Sequence, residues 1–150
     1  MRTKSNSVAE ISVSYKPAIA NKPIITSSLD AFTEFLEFFP TNTIALQESF
    51  ATMYLNRANR VLGIYPLSTG GITGTIADTR LILSVALKTA ATNIMLCHNH
   101  PSGNLKPSRQ DEELTSKIKE ACKLLDITLI DHLIISPEKT YLSFADEGLI

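Results

Sequence analysis

The chain lacks tryptophan, has only two cysteines and three histidines in 150 residues, and carries no excess of charge, with 14 Lys+Arg against 15 Asp+Glu. Each shortage excludes something. Two cysteines, Cys97 and Cys122, are too few for a disulfide framework and fit a reducing compartment. A formal charge of −1 offers no polybasic arm for nucleic acid and no cationic helix for anionic lipid, because both act through concentrated positive charge. No run of about 18 apolar residues occurs, so no membrane span is expected. The polar start Met1-Arg2-Thr3-Lys4-Ser5-Asn6-Ser7 leads into no apolar block of signal-peptide type. The expectation is a soluble, cytoplasmic protein with no membrane partner. At 44% apolar residues the chain is one domain's worth and buries enough surface to fold without a metal or disulfide staple. Any metal would be present for chemistry.

What is there reads as alternating elements. Val8 to Tyr15 alternates in hydropathy, and Pro17 and Pro23 follow, which predicts an arm over residues 1–25 holding an edge strand. The domain proper is expected over 26–150. Ser27-Ser28-Leu29-Asp30 opens a helix whose apolar positions Ala31, Phe32, Phe35, Leu36 and Phe39 run to Pro40. Ser49–Leu55 and Arg60–Leu67 read as two strands joined by the polar turn Asn56-Arg57-Ala58-Asn59. Ser68 to Thr75 reads as a Gly/Thr loop, and Asp78 caps a helix with the stripe Leu81, Ile82, Val85, Ala86 and Thr89. Thr92–His98 is a short buried-type strand, broken by the loop His100–Pro107. Ser108 opens a further helix with Leu114, Ile118, Ala121, Cys122 and Leu125 on one face, and strands close the chain at Thr128–Ile135 and Thr140–Phe144. Helices alternating with strands imply an α/β or mixed α+β sandwich.

Two of the three histidines, His98 and His100, stand one residue apart where a buried strand runs out into a Pro/Gly loop. Residues i and i+2 of a strand share a side, so both rings can meet one cation at about 2.0–2.1 Å; a purely structural pair stays open. Asp111, brought back by a helix start, would complete three ligands with a fourth position for water, the pattern of a catalytic zinc. The alternative for Ser108-x-x-Asp111 is a capping box. Glu48 is the only acidic residue between Glu37 and Asp78 and stands at the entry to an apolar strand. It is the candidate general base, against the alternative of a solvent-facing strand end.

Glu48 followed by His98-x-His100-x7-Ser108-x2-Asp111 resembles the JAMM motif of JAB/MPN metalloproteases. His98-Asn99-His100-Pro101-Ser102-Gly103, Pro107-Ser108 and Asp131-His132-Leu133-Ile134-Ile135 resemble more narrowly the RadC family of bacterial JAB-domain proteins, over about residues 42 to 150. The resemblance implies an α/β, three-layer, cytidine-deaminase-like sandwich with a mixed sheet flanked by helices. It implies zinc on His98, His100 and Asp111, Glu48 as general acid/base and Ser108 as oxyanion support. The implied reaction is hydrolysis of a peptide or isopeptide bond in a protein substrate by metal-activated water. The family's usual amino-terminal helix-hairpin-helix region finds no counterpart in the short arm, so a DNA partner is supported neither by that region nor by charge.

Cys97 falls on the strand face opposite His98 and reads as a buried thiol, as does Cys122. His132 reads as a hydrogen-bonded structural residue, with a role orienting the site as the alternative. The Thr69–Thr75 loop lacks a P-loop ending and reads as a turn or substrate-side loop. A nucleoside deaminase would require His-x-Glu and Pro-Cys-x-x-Cys elements that the sequence lacks. The rival of another class is a non-catalytic accessory in DNA repair or on a mobile element. The edge strand at 8–15 could pair with an extended substrate or with a second copy in a homo-oligomer.

Overall fold

The computed structural model describes residues 7–18, 22–70 and 77–150. Helix α1 (Ser28–Phe38) starts where expected: the Ser27 hydroxyl accepts from the Asp30 amide, and Asp30 in turn accepts from Thr26 N and Oγ1. Strands β1 (Ser49–Leu55) and β2 (Val61–Thr69) form the expected hairpin, with Asn59 at φ 58° in its turn. Asp78 caps α2 (Thr79–Lys88), accepting from Arg80 N and Leu81 N. Then follow β3 (Asn93–Asn99), α3 (Arg109–Lys123), β4 (Thr128–Ile135) and β5 (Tyr141–Ser143).

The five strands form one mixed sheet in the order β2-β1-β3-β4-β5, antiparallel except for the β3–β4 pair. A parallel pair needs a crossover, and α3 supplies it. Central β3 is covered on both faces, which is why Ile94–Cys97 is continuously apolar and buried. Pro66, which cannot donate to a ladder, sits in β2, the edge strand where that deficit is tolerated.

Side-chain alternation divides the core in two. Met53, Met95, Cys97 and Leu133 pack under Ala31, Phe32 and Phe35 of α1 on one face. Tyr54, Ile94, Leu96 and Leu129 pack under Ile82 and Ala86 of α2 and Ile118 and Cys122 of α3 on the other. The Tyr54 hydroxyl, buried within that second cluster, donates to Ile82 O at 2.9 Å and ties sheet to helix. The result is the expected α/β three-layer arrangement of helix, mixed sheet and paired helices, consistent with a JAB/MPN sandwich. Among the described residues no helix is long and apolar enough to cross a membrane.

Two expectations are corrected. Val8–Tyr15 forms no strand: the segment is mostly exposed and carries no ladder pairing. Alternation alone cannot hold a strand without partner amides. Its Tyr15 hydroxyl does reach Leu62 O at 2.6 Å, and among the described residues the arm's sheet-like contact is the bridge between Ile24 and Arg60. Ser68 and Thr69, expected in the Gly/Thr loop, belong to β2. Residues 71–75 of that loop, with residue 76 after it, and parts of the arm at 1–6 and 19–21, lie outside the described residues.

Because α1 lies on the sheet face away from His98, Phe35→Ala should destabilise without touching the histidines. Removing this fully buried ring is expected to cost about 3–5 kcal/mol in urea unfolding, with the His98 and His100 ring resonances of the folded variant unchanged in NMR spectra.

Candidate metal centre

His98 is the penultimate residue of β3, and His100 follows its end. Beyond them the chain turns through Pro101–Pro107, with Gly103 N donating to His100 O and Gly103 at φ 84°, a conformation that suits glycine. The turn delivers Ser108 as the N-cap of α3. There both readings of Ser108-x-x-Asp111 hold at once. The Ser108 hydroxyl accepts from Asp111 N at 3.0 Å, and Asp111 Oδ2 accepts from Ser108 N at 2.8 Å, a complete capping box. The same carboxylate reaches the histidines: Asp111 Oδ1 is 3.4 Å from His98 Nε2, and Oδ2 is 3.4 Å from His100 Nε2. The two Nε2 atoms are 3.0 Å apart. His98, His100 and Asp111 are the group of described residues that could hold a metal ion.

Hydrogen bonds decide which nitrogen each ring presents. The Thr115 hydroxyl donates its one hydrogen to Asp111 O at 2.6 Å, so toward His132 Nδ1, at 2.7 Å, it can only accept. His132 is fully buried, and burial, followed by the proximity of the His98 ring, pushes its pKa well below the ordinary histidine value; the ring is neutral. With its proton on Nδ1, its Nε2 accepts from His98 Nδ1 at 2.8 Å. His98 therefore turns a bare Nε2 lone pair to the centre. His100 does the same, because its Nδ1 faces the carbonyl of Asn104 at 2.6 Å and must donate.

With both rings neutral, two imidazole lone pairs and a carboxylate point into one space, which either a metal ion or a proton on one Nε2, shared across the 3.0 Å contact, fills. A tetrahedral zinc with bonds of about 2.0–2.1 Å has ligand–ligand edges of about 3.3–3.4 Å; the two Asp111 distances match and the His–His distance is slightly shorter. The donor set and the proton placement both fit a divalent metal. Electrostatics agree. Burial works against a charged His100, but Asp111, the Asn104 carbonyl and Glu48 outweigh it and raise its pKa. Burial likewise works against the Asp111 charge, yet hydrogen bonding with His100 and His98 and from Ser108 N holds its pKa well below the usual carboxylate range.

Glu48 stands just before β1, on the strand that pairs with β3. Phe50 is opposite His98, and continuing that register by two residues brings Glu48 opposite His100. Its carbonyl accepts from Gly70 N at 2.8 Å. The side chain is half-buried, and that burial raises its pKa, with His98 and His100 pulling it partly back. Ser108 keeps its hydroxyl hydrogen for a further acceptor, since its cap role uses only a lone pair. All five residues singled out in the sequence are therefore at one end of the sheet.

Cys97 lies in the core under α1, and burial raises its pKa well above the ordinary thiol value. Cys122 is pushed up to about 11 by burial; both are packing thiols. His132 is more than the structural residue favoured from sequence, because its ring sets the tautomer of His98. Thr115 joins the site without a motif to announce it. Its signal is weak, since a threonine on a helix one turn after Asp111 shows its purpose only when β4 lies alongside.

Residues 25–149 match the model of a family described as RadC-like JAB domain. Curated relatives named UPF0758 protein are similar to this chain. That of Flavobacterium johnsoniae is 48% identical over 125 residues, covering 83% of this chain and 53% of the relative. That of Porphyromonas gingivalis is 45% identical over 104 residues, covering 69% and 46%, and that of Streptococcus sanguinis 45% over 101, covering 67% and 44%. The chain spans about half the length of the curated relatives it matches.

Replacing His132 with Ala removes the acceptor for His98 Nδ1–H and should weaken zinc binding about 10–100-fold in calorimetric titration while the three ligands remain. Acidification should weaken binding in the parent as well. His100, with its raised pKa, must give up a proton to bind metal, and repeating the titration in buffers of different ionisation enthalpy reads that proton directly.

Proposed function

Since the chain belongs to the RadC-like JAB domain family, we propose that it is a zinc-dependent hydrolase of JAMM metallopeptidase type, cleaving a peptide or isopeptide bond in a protein substrate. The observation that supports this most is the convergence of bare lone pairs from His98 and His100 with Asp111, beside a half-buried Glu48. Zinc, when bound, supplies Lewis acidity toward a water and a carbonyl oxygen.

The chain's own residues do the rest. Glu48 takes a proton from the attacking water on a carboxylate oxygen. Its raised pKa makes it a better base than an exposed glutamate and holds the proton more firmly once taken. The water oxygen bonds to the carbonyl carbon, and Ser108 donates its hydroxyl hydrogen to the oxyanion that develops. Glu48 then passes its proton to the leaving nitrogen as the C–N bond breaks. The helix cap holds Ser108 and Asp111 in one rigid turn, so oxyanion donor and metal ligand keep a fixed separation. The two buried thiols are consistent with a cytoplasmic setting.

Elemental mass spectrometry of the purified protein tests the metal assignment. About one zinc per chain is expected in the parent and in Glu48→Gln, with loss in His98→Ala. A well-folded parent that refuses added zinc would overturn the reading and favour a partner-binding accessory, recognisable by salt-sensitive DNA association. Against peptide and isopeptide substrates, Glu48→Gln should lose about 10²–10⁴-fold in kcat. Hydrolysis requires ionised Glu48, so the parent rate falls as pH drops through that group's pKa; burial moves this acid limb up from the ordinary glutamate value and a bound cation moves it back.

A further inference from the structure

Asn99 stands between the two histidine ligands, and strand alternation turns its side chain away from theirs. It is fully buried. Oδ1 accepts from Ser49 N at 2.7 Å, and Nδ2 donates to Gln47 O at 3.0 Å and to Ile44 O at 2.8 Å. The partners fix the amide's orientation, since two carbonyls demand the NH2 group and one N–H demands the oxygen. Two of the three partners belong to the residues on either side of Glu48. The segment before β1 is a run of turns in which Thr43 and Ile44 amides reach back to Pro40 O, and Leu46 and Gln47 amides to Thr43 O. That leaves the Ile44 and Gln47 carbonyls to Asn99.

We propose that Asn99 is the positioning residue for Glu48. One residue of β3 thereby gauges the general base against the ligands on either side of it. This deepens the hydrolase reading and rests on it. The geometry explains the residue type. Aspartate keeps the Ser49 contact but has no donors, serine is too short to span Ile44 and Ser49, and glutamine adds a methylene where no space is exposed. The side chain sits behind the metal centre and contributes nothing to the ligand set, so its loss should separate base placement from metal binding.

The test uses the full chain as Asn99→Ala and Asn99→Asp, with zinc chloride as the probe. In Asn99→Ala, zinc affinity should stay within about threefold of the parent, while exchange of the Ser49 amide accelerates at least about 100-fold and β3 amides stay protected. Crystal structures, with and without zinc, should show the Glu48 carboxylate displaced while the His98, His100 and Asp111 side chains keep their places. Asn99→Asp should retain Ser49 protection and release the Ile44 and Gln47 end. On a cleavable peptide, Asn99→Ala should lower kcat, but in a Glu48→Gln background it should cost nothing further, a non-additivity that a general loss of stability does not give.

Glu48 unmoved and the Ser49 amide still protected in Asn99→Ala would overturn the proposal, as would a loss of zinc affinity of about tenfold or more with Glu48 in place. Failure of the parent to bind zinc would sink the hydrolase reading, and the metal-free structures and exchange would still decide whether Asn99 holds Glu48. Should both variants fail to fold, the parent alone decides: a Ser49 amide exchanging as fast as exposed loop amides overturns the proposal, and one protected like those of β3 sustains it.

Discussion

The convergence of unshared electron pairs at the end of β3 is the constraint on which the site depends. Each histidine has its other nitrogen engaged, His98 by His132 and His100 by the Asn104 carbonyl. Neither ring can relieve the crowding by turning its protonated side inward without breaking a short hydrogen bond. The fold imposes this crowding, and either a metal ion or a proton held on Nε2 of His100 beside Asp111 relieves it. The Thr115–His132–His98 chain also returns to its origin, because Thr115 is anchored on the carbonyl of Asp111, the third member of the group. Helix α3 therefore controls the centre twice, through the Asp111 carboxylate and through the proton order that ends at His98.

A capping box and a metal ligand would ordinarily be competing explanations for one aspartate. Here one carboxylate serves both, with Oδ2 on the Ser108 amide and Oδ1 facing His98. The positive end of the helix dipole and the Ser108 amide favour the ionised carboxylate, and a proton or metal held between carboxylate and rings favours it further, so the first turn of α3 and the centre are mutually supporting.

Much of this was legible in the sequence because the informative residues are close together in it. The His-x-His spacing maps onto strand alternation, the Ser-x-x-Asp spacing onto one helical turn, and the isolation of Glu48 marks a carboxylate entering an apolar strand. The hairpin at Asn56–Asn59 and the three helix starts were legible for the same reason, as local chemistry. What could not be read depends on pairing across distance. His132 meets His98 only because β4 runs parallel to β3 after a crossover, and Asn99 shows its purpose only once the turns before Glu48 fold back on it. The alternation at Val8–Tyr15 misled in the opposite sense: its pattern suits a strand, but the described residues pair it with none.

The order of the elements separates two capacities of the molecule. His98, His100, Asp111, Thr115 and His132 all lie within the continuous unit β3–α3–β4, whereas Glu48 arrives from a hairpin that anneals along β3 from the other side. A lineage that kept the crossover unit but let the β1–β3 register drift would retain the His98, His100 and Asp111 cluster with no Glu48 beside it. The cluster and the carboxylate opposite it can therefore vary independently, the first by changes within β3, α3 and β4 and the second by changes in how β1 lies along β3.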